Sequence, residues 1–195
     1  MAKQADTALI CIDMQNDFLL TSSPLCVKCG LACLPHVQEA IAAARAKSLP
    51  IVWIIREHDP SGVDIEYTRV HLLQSGGAGA TVAGSKGAEL VEGLEVQPGE
   101  AVVIKRRFSA FLATHLDLVL RRLGVKRVVL CGVQTPNCIR ATAVDALGLD
   151  YGVQVLSDAT ASKSEAVQEN NLEDMRCMGI ATPTTAEWIA ALDKL

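Results

Sequence analysis

The sequence is poor in aromatic side chains, with two Trp, two Tyr and three Phe among 195 residues. A core with so few rings must be built from Ala, Val, Leu and Ile, and stacking platforms for nucleic-acid bases are not expected. It also lacks an excess of basic charge. Eighteen Lys and Arg stand against 22 Asp and Glu, a net charge of −4. With no basic stripe or acidic block, neither nucleic acid nor a membrane surface is expected as a partner. No apolar run approaches the roughly 18 residues of a membrane span. Asp6 and Asp13 bracket an apolar run too short for a signal peptide, and no Asn-x-Ser/Thr glycosylation acceptor occurs. Disulfide staples are not needed either. Seven cysteines are an odd count, and a chain this long buries enough surface to fold without them. These features point to a reducing cytoplasm.

What is present is apolar and regularly punctuated. Half of the residues are hydrophobic and 21% are charged, the balance of a folded chain, and the length suits a single domain over 1–195. Apolar runs at 7–12, 51–55, 101–104, 127–131 and 153–156 read as strands covered on both faces. Helical patterns lie between them at 34–47, 111–123, 137–149 and 165–178, with a last one at 186–195. Ser162 with Glu165, and Thr184 with Glu187, have the spacing of capping boxes. Alternation of this kind predicts a three-layer α/β/α, doubly wound fold around a mostly parallel sheet. The longest irregular stretch, 59–87, carries Gly76, Gly77, Gly79 and Gly84 near its end, which suit a mobile pocket rim, and has room for a helix at 66–73. The step from Gly79 to Gly84 imitates a phosphate loop, but Ser85-Lys86 reverses the required order and no strand precedes it.

Ligands in open parallel sheets bind beyond the carboxyl ends of the strands. Asp13 follows the first strand, Arg56-Glu57-His58-Asp59 the second, Lys105-Arg106-Arg107 the third and Gly132-Val133-Gln134-Thr135-Pro136-Asn137-Cys138 the fourth. An acid, an amine and a thiol thus meet on one edge. Thr135 suits a helix cap and Pro136 the first helical position, which places Cys138 in a first turn. The partial positive charge there favours thiolate over thiol and can hold an oxyanion. A free Cys is more commonly a small buried hydrophobe, but its company favours a nucleophile. Asp13 then reads as general base and acid, with Lys105 holding both in their charged forms. Arg107 suits either a substrate carboxylate or an acid at a subunit interface. His115, inside a helical pattern, reads as an ordinary helix residue.

Ile12-Asp13-Met14-Gln15-Asn16-Asp17-Phe18, then Lys105 ahead of Arg107-Phe108-Ser109-Ala110-Phe111, then Gly132 to Cys138, resemble in order and spacing the isochorismatase-like cysteine hydrolases. That family includes nicotinamidase, N-carbamoylsarcosine amidohydrolase and ureidoacrylate amidohydrolase. The resemblance runs over nearly the whole chain. It implies a catalytic triad at Asp13, Lys105 and Cys138. It also implies a cis peptide between Val133 and Gln134, with an oxyanion held by backbone N–H groups of Gln134 and Cys138, and a substrate pocket bordered by Phe18 and Arg107. The implied activity is cleavage of a C–N bond in a small amide, ureido or carbamoyl substrate through a thioester. A vinyl-ether hydrolysis of the isochorismate type is an alternative on the same fold, as is a member that binds a small molecule or senses redox state without turnover.

The resemblance also bears on metals. Nicotinamidases carry Asp-Trp-His after the Arg that follows the second strand, whereas here Glu57-His58-Asp59 follows Arg56. His71 matches the remaining His ligand. The altered set resembles metal-free plant and microbial members, so no metal and no cofactor is expected. Cys26, Cys29, Cys33 and His36 have a spacing that zinc tolerates, but without a nearby carboxylate they read as helix-border residues and a reactive thiol pair. Family members assemble as dimers or larger, so a homo-oligomer, dimer or tetramer, is expected.

Overall fold

The computed structural model describes residues 6–23, 25–74 and 81–194. Gly76, Gly77, Gly79 and Leu195 lie outside the described residues. Five parallel strands, β1 (Thr7–Ile12), β2 (Ile51–Arg56), β3 (Ala101–Lys105), β4 (Arg127–Val133) and β5 (Gly152–Ala161), form one sheet in the order β3-β2-β1-β4-β5. The order reverses direction at β1, which makes the space beyond the ends of β1 and β4 the natural ligand crevice. β1 and β2 are buried along nearly their whole length, because helices cover both faces.

Among the described residues seven α-helices flank or punctuate the sheet: α1 (Asn16–Leu19), α2 (Leu34–Ala46), α3 (His71–Gln74), α4 (Leu116–Arg122), α5 (Arg140–Gly148), α6 (Glu165–Cys177) and α7 (Thr185–Leu192). Side chains alternate between two apolar clusters along each strand. Ala8, Ile10 and Ile12 face one cluster, closed by Leu116 and Leu120 of α4, Ala143 and Ala146 of α5, and Leu172 and Met175 of α6. Leu9 and Cys11 face the other, closed by Val37, Ala40, Ile41 and Ala44 of α2 and Trp188 of α7. No helix among the described residues is long and apolar enough to cross a membrane.

Several boundaries differ from those read in the sequence, each for a local reason. β5 runs five residues past Leu156, because a register shift between Leu130 and Gly132 lets Thr160 and Ala161 rejoin β4. That extension takes Ser162 out of contention as a cap. Ser164 caps α6 instead, accepting from the Val167 N–H at 3.4 Å. The Thr184–Glu187 capping box forms as expected. α4 starts at Leu116 rather than 111, because Ser109 and Thr114 side chains capture the backbone N–H groups of Phe111 and Leu116 and hold the chain in turns. The helix expected from 137 opens instead as a π-helical turn, Thr135–Ile139, that feeds α5. Its N-cap is Gln134, not Thr135, whose hydroxyl lies 3.1 Å from the Ala161 carbonyl and 2.6 Å from Gln168 Oε1. The helix expected at 66–73 is a 3₁₀ turn, Tyr67–Arg69, followed by α3.

Gly132 is where β4 presses hardest on β1. Its φ is +110°, and a Cβ placed there would stand 2.1 Å from the Ile12 carbonyl oxygen. Gly99 also has positive φ, +93°, but opens on empty space. Gly132→Ala is therefore expected to cost about 4 kcal/mol or more in urea unfolding, since backbone must move. Gly99→Ala is expected to cost only about 1–2 kcal/mol for the left-handed conformation alone. Equal losses would contradict this account of the β1–β4 contact.

Candidate active site

The carboxyl ends of β1, β3 and β4 deliver three side chains to one point. Asp13, the residue after β1, takes a positive φ of 53°, a conformation Asp tolerates better than most residues. Lys105 ends β3, and Cys138 lies in the π-helical turn after β4. Asp13 and Lys105 are 0% exposed and Cys138 is 4% exposed. Lys105 Nζ stands 2.8 Å from Asp13 Oδ2 and 3.2 Å from Cys138 Sγ, and donates to the carbonyls of Arg107 and Phe108 at 3.0 and 3.2 Å. One ammonium thus ties acid, thiol and the loop after β3 together. Asp13 Oδ1 is buried with no hydrogen-bond partner. The Val133–Gln134 peptide is cis. Thr142 of α5 donates to the Cys138 carbonyl at 2.7 Å and accepts from the Ala110 N–H at 3.0 Å, fixing the turn against the loop.

The expectation of a resting thiolate is corrected by the environment of Cys138. Burial, and next the negative charge of Asp13, push the thiol up to about 11, outweighing the opposite pull of Lys105 and Arg56. The resting sulfur is therefore protonated, and a base must remove its proton. Asp13 is the carboxylate beside it.

Gln15 extends the β1–β2 pairing with its side chain. Its Nε2 donates to the carbonyls of Arg56 and Ala88, at 2.8 and 2.7 Å, while its Oε1 accepts from the Arg56 N–H at 2.8 Å. Asp17 accepts from the Thr81 N–H at 2.9 Å and draws the segment after residue 80 onto α1. Phe18 belongs to the apolar cluster of the α2 face, with Leu19 and Val27. Arg107 donates from Nη1 to the backbone carbonyls of Asp64 and Arg106, at 2.7 and 2.8 Å. With Glu66, Phe108, Ser109, Pro136 and Arg140 it lines a cavity of about 580 Å³ next to the Cys138 turn.

The segment after β2 is engaged within itself. Arg56, 2% exposed, donates from Nε to His58 Nε2 at 3.0 Å and from Nη2 to both carboxylate oxygens of Glu66. The other nitrogen of His58 lies 3.2 Å from Asp64 Oδ1. Burial, then the Arg56 charge, lower the His58 pKa, which favours a neutral ring. Asp59 Oδ1 accepts from Ser61. Both ring nitrogens of His58 are thus occupied by protein groups. Cys33 Sγ lies 3.1 Å from the Gly30 carbonyl, and His36 is 3.6 Å from Asp158. Among the described residues no group of three or more His, Cys, Asp or Glu is placed to hold a metal ion.

Sequence reasoning flagged Arg56 only as a strand-end residue and missed Glu66 and Arg69. Arg69 lies with its guanidinium carbon 5.5 Å from the centre of the Phe108 ring, as does that of Arg56. The partners of Arg56 are spread over an irregular loop, where no periodicity marks them.

Comparison with known proteins bears on the family of the chain. The chain is 43% identical over 185 residues, 94% of each sequence, to an Arabidopsis thaliana protein described as a probable inactive nicotinamidase. It is 31% identical over 175 residues to a ureidoacrylate amidohydrolase of Pseudomonas savastanoi, covering 81% of this chain and 71% of that one. The crystal structure of an isochorismatase family protein from Desulfovibrio vulgaris matches with a TM-score of 0.93 and 44% identity, over 96% of this chain and 98% of that one. Residues 7–187 match the model of the isochorismatase domain, and the chain belongs to the isochorismatase family.

Proposed function

We propose that this chain hydrolyses a C–N bond of a small amide, ureido or carbamoyl compound through a thioester on Cys138. The observation that carries the reading is the buried Asp13–Lys105–Cys138 cluster, with its ammonium 2.8 Å from the acid and 3.2 Å from the thiol. Asp13 takes the thiol proton as Sγ attacks the carbonyl carbon. Backbone N–H groups of Gln134 and Cys138 receive the oxyanion. Asp13 passes the proton to the leaving nitrogen, the C–N bond breaks, and ammonia or an amine departs. Water then gives a proton to Asp13 and attacks the thioester, and the proton returns to sulfur as the acid product leaves. The Lys105 ammonium, in contact with both groups, holds the Asp13 carboxylate in place and steadies the charge that develops on sulfur.

The ureidoacrylate amidohydrolase among the relatives supports a ureido substrate. Nicotinamide is disfavoured, because Glu57 and Asp59 stand where nicotinamidases carry the Asp and His of their metal motif, and Asp59 accepts from Ser61. The relative described as a probable inactive nicotinamidase fits that preference.

Ammonia release from nicotinamide, N-carbamoylsarcosine, ureidoacrylate and related ureides tests the proposal. Release from at least one ureido or carbamoyl compound is expected, with Cys138→Ala lowering it by about 10³-fold or more and a chelator leaving it unchanged. Turnover that survives Cys138→Ala, or release from none of the compounds by folded protein, contradicts it. The raised thiol gives a second prediction. The rate of alkylation of Cys138 by iodoacetamide should keep climbing toward pH ~11. The exposed Cys177 should level off near the ordinary thiol value of about 8.5. Levelling of both together would mean that Cys138 is an ordinary thiol, and levelling well below Cys177 that it rests as a thiolate; either result contradicts the raised value.

A further inference from the structure

The hydrolytic steps leave two cations beside the site unused. Arg56 Nη1 is buried with no hydrogen-bond partner, although the rest of its guanidinium is fully engaged with His58 and Glu66. An unmade hydrogen bond on a buried charged group is costly, and folded chains retain one chiefly where function uses it. Arg69 is half-buried and has no carboxylate within ion-pair distance among the described residues; its guanidinium lies over the Phe108 ring. Lys105 compensates Asp13, and Glu66 compensates Arg56. Arg69 is left as excess positive charge. Arg107, which lines the 580 Å³ cavity with Phe108, also donates to carbonyls rather than to an acid.

The two guanidinium groups each lie over the same ring, with their carbons 5.5 Å from its centre. They repel one another, and burial together with the Arg56 charge lowers the pKa of Arg69. Both also sense Asp13 and Cys138, which places them within electrostatic reach of the reacting atoms. The ring belongs to Phe108, whose own carbonyl accepts from Lys105 Nζ and which lines the 580 Å³ cavity with Glu66. An anion seated between the guanidinium groups would satisfy Nη1, offset the excess charge and relieve the repulsion.

We infer that the substrate carries a carboxylate, received by Arg56 Nη1 and the Arg69 guanidinium at the edge of the Phe108 ring, while its scissile carbonyl lies on Cys138. The seating of the carbonyl rests on the proposed hydrolysis; the anion site does not. Arg56 and Arg69 are then specificity-determining residues. A planar carboxylate suits them because guanidinium donors match its two oxygens, whereas a neutral amide leaves the excess charge unanswered.

Iodoacetate and iodoacetamide probe this directly. Both alkylate a thiol by displacing iodide, and they differ only in carboxylate against carboxamide. Peptide mass spectrometry of the full chain reads the ratio of the two adducts at Cys138, with exposed Cys177 as internal reference. The iodoacetate preference at Cys138 is expected to exceed that at Cys177 by about tenfold, the worth of one charge-assisted contact. Arg69→Gln should bring it to the Cys177 level, and Arg69→Lys, which keeps the charge but not the planar fork, should retain only part of it. Equal ratios at both cysteines in the unaltered chain, or a preference untouched by Arg69→Gln, overturns the inference. Thermal unfolding in propionate against propionamide reads the same preference with no chemistry at sulfur. Stabilisation by propionate alone, lost in Arg69→Gln, supports the anion site; equal shifts contradict it. Iodoacetate preference without ammonia release from any amide would remove the hydrolase reading and leave this site standing. Turnover without that preference would do the reverse.

Discussion

A lysine and an aspartate, both without solvent exposure, meet at 2.8 Å across the end of the sheet. The rest of the site depends on that pair. β2 lies between the strands that carry them, so Lys105 must reach over a neighbouring strand, a span of roughly 9–10 Å between strand axes. Only a long, flexible cation closes that gap from the end of β3. Having arrived, its ammonium also meets Cys138 and two carbonyls of the following loop. Burying two charges costs more in desolvation than a surface pair ever does, and attraction with good geometry only roughly offsets it. Such a pair is poor glue. It makes sense as a device that holds a carboxylate dry and close to a thiol whose own proton is held tightly.

The neighbouring features fall into place around this pair. Gly132 lets the end of β4, just ahead of the turn that bears Cys138, press against Ile12, the residue before Asp13. The Gln15 side chain locks β2 and the Ala88 segment to the end of β1, so the floor of the crevice is fixed by main-chain contacts. The charge pattern is layered. Acid and ammonium cancel at the reacting centre, Arg56 and Glu66 cancel one shell out, and the surplus sits on Arg69 at the Phe108 ring. A centre that is neutral overall can pass a proton back and forth, while a cationic flank draws and orients an anionic partner.

Much of this was legible in the chain. The strands were readable because both faces are covered, so Thr7–Ile12 and its partners carry uninterrupted apolar runs. The triad was readable because strand ends in a parallel sheet converge and each candidate follows its strand directly. Other features were not. β5 continues through Ser157, Asp158 and Thr160, residues that signal a loop by composition, because the irregular register lets Thr160 bond back to Leu156 while Ser157 and Asp158 bond to Pro183 and Thr185 ahead of and within α7. The start of α4 was misplaced because Ser109 and Thr114 compete for backbone donors that the apolar pattern assigns to a helix. The protonation of Cys138 was misjudged from its place near a helix start, since burial outweighs a partial charge. The Arg56–Glu66–Arg69 group was invisible, because its members gather through a loop with no repeat and only the folded chain puts both arginines on one ring.

Removing the charge pair tests this account most directly. Lys105→Met leaves Asp13 buried and uncompensated, and should cost about 3–5 kcal/mol in urea unfolding. Asp13→Asn combined with Lys105→Met removes both charges, and should recover at least half of that loss while leaving Cys138 unable to turn over any amide the unaltered chain accepts. A double variant as unstable as the single one would show that the pair holds the fold together, and would contradict the view that it is maintained for the chemistry at Cys138.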